Sequence, residues 1–266
     1  MGPVTALLVA FSALLGLAVG SFLNVVIWRV PRGESVVRPP SACPRCGHAI
    51  RPRDNVPVLG WLLLRGRCRD CGEPIAVRYP LVEGVTAVLF GLVALRFAAA
   101  PAAIPAFLFL TAVGIALALI DLDVHRLPNA LVLPSYPVLA VLLALASVDD
   151  WSAMLRALIG GVALYAFYFA LMFVSELVLG RTGMGFGDVK LAGLLGGAMA
   201  WVGWGALVVG GFGAFLLGGL ASLLLILTGR GGRGTQIPFG PWMIIGAALG
   251  VAVGEQLWSA YLQLLA

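Results

Sequence analysis

The chain has 266 residues, of which 61% are hydrophobic and only 11% are charged. A soluble domain has about 25% charged residues, so this composition excludes an ordinary soluble protein and indicates a polytopic membrane protein. The formal net charge of +5 does not indicate nucleic-acid binding, because the basic residues lie in loops beside apolar segments, as the positive-inside rule predicts.

Eight apolar segments are predicted to cross the membrane as helices, since a crossing helix needs about 20 apolar residues. The first segment has no basic residues before its apolar run, so we expect a retained helix and not a cleaved signal peptide. The predicted fold class is therefore an all-α polytopic membrane protein with about eight transmembrane helices. The predicted segments are 4–28, 80–99, 103–121, 130–147, 154–179, 188–203, 205–228 and 239–262.

Basic residues are concentrated in alternate loops. The loop 29–79 carries ten arginines, and the loops before the fourth, sixth and eighth segments carry further basic residues. Because the intervening loops are poor in basic residues, we expect the basic loops in the cytoplasm and both termini outside. The basic residues in or beside the later loops are Arg126, Arg181, Lys190, which lies just inside the sixth segment, Arg230 and Arg233.

Small residues recur at helical spacing on two segments. Gly16 and Gly20 lie four residues apart on the first segment, and Gly246, Gly250 and Gly254 form a GxxxGxxxG pattern on the last. Such patterns let helix backbones approach closely in lipid. We therefore predict that both glycine faces pack against other helices inside the bundle.

Aspartates occur at the cytoplasmic ends of two predicted spans. Asp121 and Asp123 end the third segment, in ALIDLDVHRLPNALVLPS, and Asp188 begins the sixth, in GMGFGDVK. Ionisable groups at this depth are costly and mark functional sites. Two close carboxylates share a proton, so they supply a base that activates water and an acid that protonates a leaving amine. Gly185 and Gly187 allow the backbone to bend and a substrate strand to approach.

The residues alone leave other roles open for these aspartates. They would also suit a proton or ion pathway, or structural pairing with Lys190 or Arg126. Asp123 is expected to cap a helix or to hydrogen-bond the pair, and Glu176 is a candidate third member. His125 is expected to be an interfacial loop residue.

All four cysteines lie in the loop 29–79, as CPRCGH at 43–48 and CRDCG at 68–72. In a reducing cytoplasm, paired CxxC motifs usually bind metal and do not form disulfides. The spacing predicts a small cytoplasmic zinc-binding domain in which four thiolates hold one structural zinc ion. A redox CxxC is the alternative, and His48 is a spare ligand. The predicted zinc ligands are Cys43, Cys46, Cys68 and Cys71.

Four stretches together resemble the type IV prepilin peptidases, membrane enzymes of the GxGD aspartic protease class. They are GSFLNVVIWRVP at 20–31, the paired CxxC loop, RYPLVEG at 78–84 and the two aspartate motifs. The family places one aspartate seven residues before the proline of an (I/L)P(N/D) turn and the second in GxGD. The matching residues are Asp121, Pro128, Asn129, Gly185, Gly187 and Asp188.

The resemblance implies a bifunctional enzyme of the inner membrane that serves type IV pili or protein secretion. Such enzymes cut the basic leader of prepilins or pseudopilins at the cytoplasmic face, after a glycine. They then N-methylate the new terminal residue, commonly Phe, with S-adenosylmethionine as the methyl donor. Asp121 and Asp188 are implied as the catalytic pair. The supporting residues are Asp123, Gly185, Gly187 and Lys190.

The resemblance also implies three domains. Residues 1–28 form the first transmembrane helix, 29–79 a cytoplasmic zinc-binding loop associated with methyl transfer, and 80–266 a seven-helix peptidase core. Family members carry Gly-Lys before the third cysteine, whereas this chain has Gly66 and Arg67, which keeps the charge and changes its geometry. The alternatives are a peptidase without methyl transfer and a proton-coupled transporter. Beyond the substrates and membrane lipids no partner is predicted, nor is an oligomeric state.

Overall fold

The computed structural model describes residues 2–180, 184–229 and 238–265, and the regular structure of these residues is helical. Eight of the helices begin and end within a few residues of the predicted spans, which confirms the all-α class. The helices are α1 (Pro3–Arg29), α2 (Leu59–Leu63), α3 (Arg78–Arg96), α4 (Ile104–Val124), α5 (Asn129–Ala146), α6 (Trp151–Leu179), α7 (Phe186–Val202), α8 (Trp204–Leu227) and α9 (Gly240–Leu265).

Within these residues, seven helices are long and apolar enough to cross a membrane. The predicted sixth span corresponds to α7, which has only 17 residues and lies outside that set. Its length of about 26 Å is slightly less than the hydrocarbon core. The eight predicted spans therefore correspond to seven helices of membrane-spanning length and one shorter helix. Arg181, Arg230 and Arg233 lie outside the described residues, so the orientation stays a prediction.

The chain divides into two compact units, Met1–Ala116 and Leu117–Ala266. In the first unit, α1 packs along α3 through its two glycines. An added Cβ would lie 2.7 Å from the Ala87 Cα at Gly16 and 2.7 Å from the Glu83 Cα at Gly20. Larger side chains would separate the two helices, so the predicted packing role of Gly16 and Gly20 is confirmed.

In the second unit, α7 packs against α5, α6, α8 and α9. Ten of its 17 residues are buried, so this helix is surrounded mainly by protein. Helices α8 and α9 meet along the GxxxGxxxG pattern, where an added Cβ at Gly246 would lie 2.6 Å from the Ala214 nitrogen. A Cβ at Gly254 would lie 2.6 Å from the Ala206 Cα. The predicted close packing of the last span is thereby confirmed.

Candidate active site and cysteine centre

Asp121 lies in the last turn of α4 and is only 5% exposed. Its Oδ2 accepts a hydrogen bond of 3.0 Å from the backbone N–H of Gly240, the first residue of α9. Helix N-termini carry partial positive charge and unpaired N–H groups, so they stabilise anions. The start of α9 therefore holds the Asp121 carboxylate in place.

Asp188 is the third residue of α7 and is half-buried. Its side chain turns back over the start of the helix, where Oδ2 accepts a hydrogen bond of 3.2 Å from the Gly185 N–H. The Asp188 N–H in turn donates to the Gly185 carbonyl oxygen at 3.0 Å. The GxGD motif thus forms a helix start that orients its own carboxylate.

Leu127 joins the two aspartate-bearing segments. Its side chain lies against Gly187, where an added Cβ would be 3.0 Å from the Leu127 Cβ, and against Gly240, where it would be 3.4 Å from Cδ2. Because neither glycine has a side chain, the starts of α7 and α9 both close onto the turn after α4. The carboxylates of Asp121 and Asp188 are near enough to interact electrostatically.

Neither carboxylate has a cationic partner in the ion pairs of the described residues. Lys190 instead donates to the Asn129 Oδ1 at 2.8 Å and lies 4.6 Å from the centre of the Phe186 ring. It ties the first turn of α7 to the start of α5. The sequence left open an ion pair between Asp188 and Lys190, and the structure does not contain it.

The other candidate residues, Asp123, Glu176 and His125, are exposed, unlike the two aspartates of the pair. Asp123 is exposed and lies one residue before the end of α4. Glu176 is exposed on α6 and is not among the groups that perturb either aspartate. His125 is exposed, has φ +53° and donates its backbone N–H to the Asp121 carbonyl oxygen at 2.9 Å. Its side chain also interacts electrostatically with Asp121.

An aromatic cluster, formed by Tyr168, Phe215 and Phe239, lies next to the aspartate pair. Tyr168 on α6 is almost fully buried, interacts with Asp188 and lies 5.3 Å from the Phe215 ring and 6.3 Å from the Phe239 ring, measured between centroids. Phe239 directly precedes Gly240. Sequence reasoning missed both the cluster and Gly240, although the segment PFGP at 238–241, at the predicted start of the last span, offered a signal for them.

Gly240→Ala is expected to lower the peptide cleavage that the sequence predicts by about 10²-fold, a typical cost of displacing a reacting group by about 1 Å, since Asp121 is one of the two predicted catalytic residues. The added methyl group would lie 2.8 Å from the Asp121 Oδ2 and would push the carboxylate from the α9 terminus. The matched control is Gly219→Ala on α8, where nothing lies within 4 Å of the added Cβ. Steady-state cleavage by the two purified variants checks this, and equal rates would show that the Gly240 contact is dispensable.

The four cysteines form one cluster, as predicted. All four Sγ atoms lie within 4.8 Å of one another, and the Cys43 and Cys71 Sγ atoms are 3.8 Å apart. Backbone N–H groups of Cys46 and Arg45 lower the pKa of the Cys43 thiol to about 7, whereas burial and the neighbouring thiols raise the pKa of the Cys71 thiol to about 12. Cys43 is therefore the thiol that ionises first in the metal-free cluster. His48 is exposed and lies outside this cluster. The cluster can hold a metal ion.

Each CxxC motif has the same backbone hydrogen bonds. In the first, the Cys43 N–H donates to the His48 carbonyl and the Gly47 N–H donates to the Cys43 carbonyl, at 3.0 and 2.9 Å. The second repeats this pattern, with distances of 2.8 and 2.9 Å, in the residues Cys68, Gly72 and Glu73. The glycines adopt φ +73° in both motifs. Two equivalent knuckles thus present two thiols each.

Ion pairs connect these knuckles to the rest of the loop. Arg69 donates to both carboxylate oxygens of Asp54, and this hydrogen bonding lowers the pKa of Asp54. Arg51 donates to Asp70 at 2.7 Å. Because these pairs link the second knuckle to residues 51–54, the loop is cross-braced without a large apolar core.

Gly66 is enclosed by the loop, whereas Arg67 is exposed. Gly66 has φ +66°, and an added Cβ would lie 2.8 Å from the Trp61 ring. Its carbonyl oxygen accepts from the Ile75 N–H at 2.7 Å. A glycine is therefore required here by packing and backbone conformation. The association of Gly66 and Arg67 with methyl transfer stays a prediction.

Comparison with known proteins adds independent information. The family model described as Bacterial Peptidase A24 N-terminal domain matches residues 14–97, and the model described as Type IV leader peptidase family matches residues 108–226. No solved structure matches the chain.

Three curated relatives are named prepilin leader peptidase/N-methyltransferase. The protein of Pseudomonas aeruginosa is 38% identical over 94% of this chain and 92% of its own length. That of Aeromonas hydrophila is 38% identical over 94% and 92%, and that of Neisseria gonorrhoeae is 37% identical over 95% and 93%. Because the similarity extends over nearly the whole of both chains, this chain belongs to the type IV leader peptidase family.

Proposed function

We infer that this chain cleaves the leader of prepilins or pseudopilins and then N-methylates the new N-terminal residue. The names and nearly full-length similarity of the relatives support both activities. Hydrolysis requires a group that activates water and a group that protonates the leaving amine. The observation that carries the peptidase assignment is the approach of Asp121 and Asp188, which Leu127, Gly187 and Gly240 make possible.

The two carboxylates act as one acid–base pair that holds one proton. The ionised member removes a proton from water, and the resulting hydroxide attacks the scissile carbonyl carbon. The protonated member gives its proton to the amide nitrogen as the C–N bond breaks, which releases the leader as a carboxylic acid and the pilin as an amine. Gly240 and Gly185 hold the Asp121 and Asp188 carboxylates in place through backbone N–H groups.

A prepilin suits a site at the end of membrane helices. Its apolar segment lies beside the spans, and its basic leader extends into the aqueous phase. We place the enzyme in the inner membrane, with both termini outside and the aspartates facing the cytoplasm, because the basic residues of the sequence concentrate in alternate loops. The peptidase core is assigned to residues 80–266, after the first helix at 1–28.

We assign zinc to the four-cysteine cluster. In a tetrahedral site with Zn–S bonds of about 2.3 Å, sulfur atoms lie about 3.8 Å apart, which matches the distance between the Cys43 and Cys71 Sγ atoms. Four thiolates leave no open coordination position, so the metal is structural. S-adenosylmethionine supplies an electrophilic methyl group for the pilin amine, and the loop 29–79 is assigned to this activity.

A single assay separates this function from its alternatives. The purified chain is incubated with a prepilin and S-adenosylmethionine carrying a labelled methyl group, and leader loss and label incorporation are followed independently. We expect leader loss first and label in the shortened pilin afterwards. Leader loss without label would leave a peptidase without methyl transfer. Absence of both would favour the transporter.

A further inference from the structure

Helix α2 turns three leucines outward. Leu59, Leu62 and Leu63 follow the i, i+3, i+4 spacing of one helix face, and they are 56%, 55% and 78% exposed. The neighbouring residues Gly60 and Trp61 face the loop instead: Gly60 is buried, and Trp61 donates its Nε1–H to the Ile75 carbonyl at 3.0 Å. A short helix with its apolar face outward has not buried that face within the described protein.

The position of α2 relative to the membrane follows from one hydrogen bond. The backbone N–H of Val58, the residue before α2, donates to the Glu83 Oε2 at 2.6 Å. Glu83 is buried and lies five residues beyond Arg78, the first residue of α3, which is about 7.5 Å along that helix. Since α3 is long and apolar enough to cross a membrane, the hydrogen bond holds α2 beside the second turn of α3, near the end of that apolar helix.

Val58 itself adopts φ +60°, a conformation that is unfavourable for a β-branched residue. Such strain persists only where surrounding contacts hold the backbone. Here the Glu83 carboxylate accepts the Val58 N–H, and the Pro57 carbonyl accepts the Leu59 N–H at 2.6 Å. The backbone at the start of α2 is therefore held by a contact to α3 and by a tight turn at Pro57.

Two arginines follow the leucine face of α2 along the chain. Arg65 and Arg67 follow α2 and are exposed, and neither has an acidic partner in the ion pairs of the described residues, whereas Arg51 and Arg69 do. Leucines next to unpaired arginines are typical of helices that lie in the membrane interface. The same charge disfavours the basic leader of a prepilin as the occupant of this surface.

We propose that the face formed by Leu59, Leu62 and Leu63 inserts into the headgroup–acyl boundary of the adjacent leaflet, with Arg65 and Arg67 on the phosphates of anionic phospholipids. This contact anchors the α2 end of the cysteine loop at the bilayer surface. It is independent of the chemistry assigned to the aspartates, so either assignment can fail without the other.

Photo-cross-linking tests this contact in the full-length chain. The substitution Leu63→benzoylphenylalanine is made, and the protein is placed in nanodiscs of phosphatidylcholine and phosphatidylglycerol, illuminated and analysed by mass spectrometry. Position 81 on α3, where the natural leucine is 59% exposed, is the lipid-facing control, and position 48, exposed at the end of the first knuckle, is the water-facing control. Retained zinc shows that each variant is folded.

We expect lipid adducts at position 63 as abundant as those at position 81, and none at position 48. When Arg65→Gln is combined with the cross-linker at position 63, the phosphatidylglycerol share of the adducts is expected to fall by about fivefold. This is the effect of one basic residue near an anionic surface. Adducts with protein, whether another part of the chain or an added prepilin, would overturn the proposal, as would an absence of lipid adducts at 63 when 81 gives them.

Discussion

Asp121→Asn and Asp188→Asn are each expected to lower prepilin cleavage by about 10³-fold or more, because acid–base groups that act as a unit lose most of their effect when either is removed. Asparagine keeps the size of the side chain and cannot exchange the proton. The Gly240 and Gly185 N–H groups still find an oxygen acceptor at each position, so the fold is retained. The measurement is the rate of leader loss from a purified prepilin.

Two controls distinguish loss of chemistry from loss of structure. Asp123→Asn makes the same change two residues away, on an exposed side chain, and is expected to retain far more activity than Asp121→Asn. Methylation of a pilin that already lacks its leader is expected to continue in both aspartate variants. If the Asp123 variant were the less active one, the wrong aspartate of α4 would have been assigned.

Replacing Cys43 and Cys71 together by serine is expected to remove zinc and abolish methyl transfer, with a smaller effect on cleavage. Structural zinc contributes about 10–16 kcal/mol to the folding of small zinc domains, and each knuckle would lose one of its two thiolates. The surrounding ion pairs are partly exposed, so they stabilise the loop weakly. Metal analysis, leader loss and methyl incorporation are measured on the same preparation.

His48→Ala is the matched control for the metal site. The His48 side chain is exposed and lies outside the cysteine cluster, so its removal is expected to leave the zinc content unchanged. Zinc loss in this variant would mean that the imidazole is a ligand. Absence of any metal from the unmodified protein would eliminate the four-thiolate site.

The membrane spans were predictable because burial in lipid requires long apolar runs, and such runs are visible in the residues themselves. Helix α7 is shorter than the other predicted spans, with 17 residues. Its neighbours are mainly other helices, so most of its surface contacts protein and not lipid. The cysteine cluster was equally predictable from the sequence, since the paired CxxC spacing specifies the ligands without reference to the rest of the fold.

The contacts that bring the aspartates together were not predictable from residue patterns. Leu127 meets Gly187 and Gly240 across large sequence separations, and only the packing of three helix ends defines that junction. Lys190 illustrates the same point: its charge next to Asp188 suggested an ion pair, yet its amine reaches Asn129. The hydrogen bond between Val58 and Glu83 is likewise a tertiary contact.

We propose that Asp121 and Asp188 work as one acid–base pair, and a double-mutant cycle on the cleavage rate is the sharpest test of this pairing. Cleavage is measured for Asp121→Asn, Asp188→Asn and the combined variant under identical conditions. We expect the combined variant to be no slower than either single variant, because the first substitution already disables the pair. Substantial cleavage by either single variant, or a combined loss equal to the product of the two single losses, would contradict it.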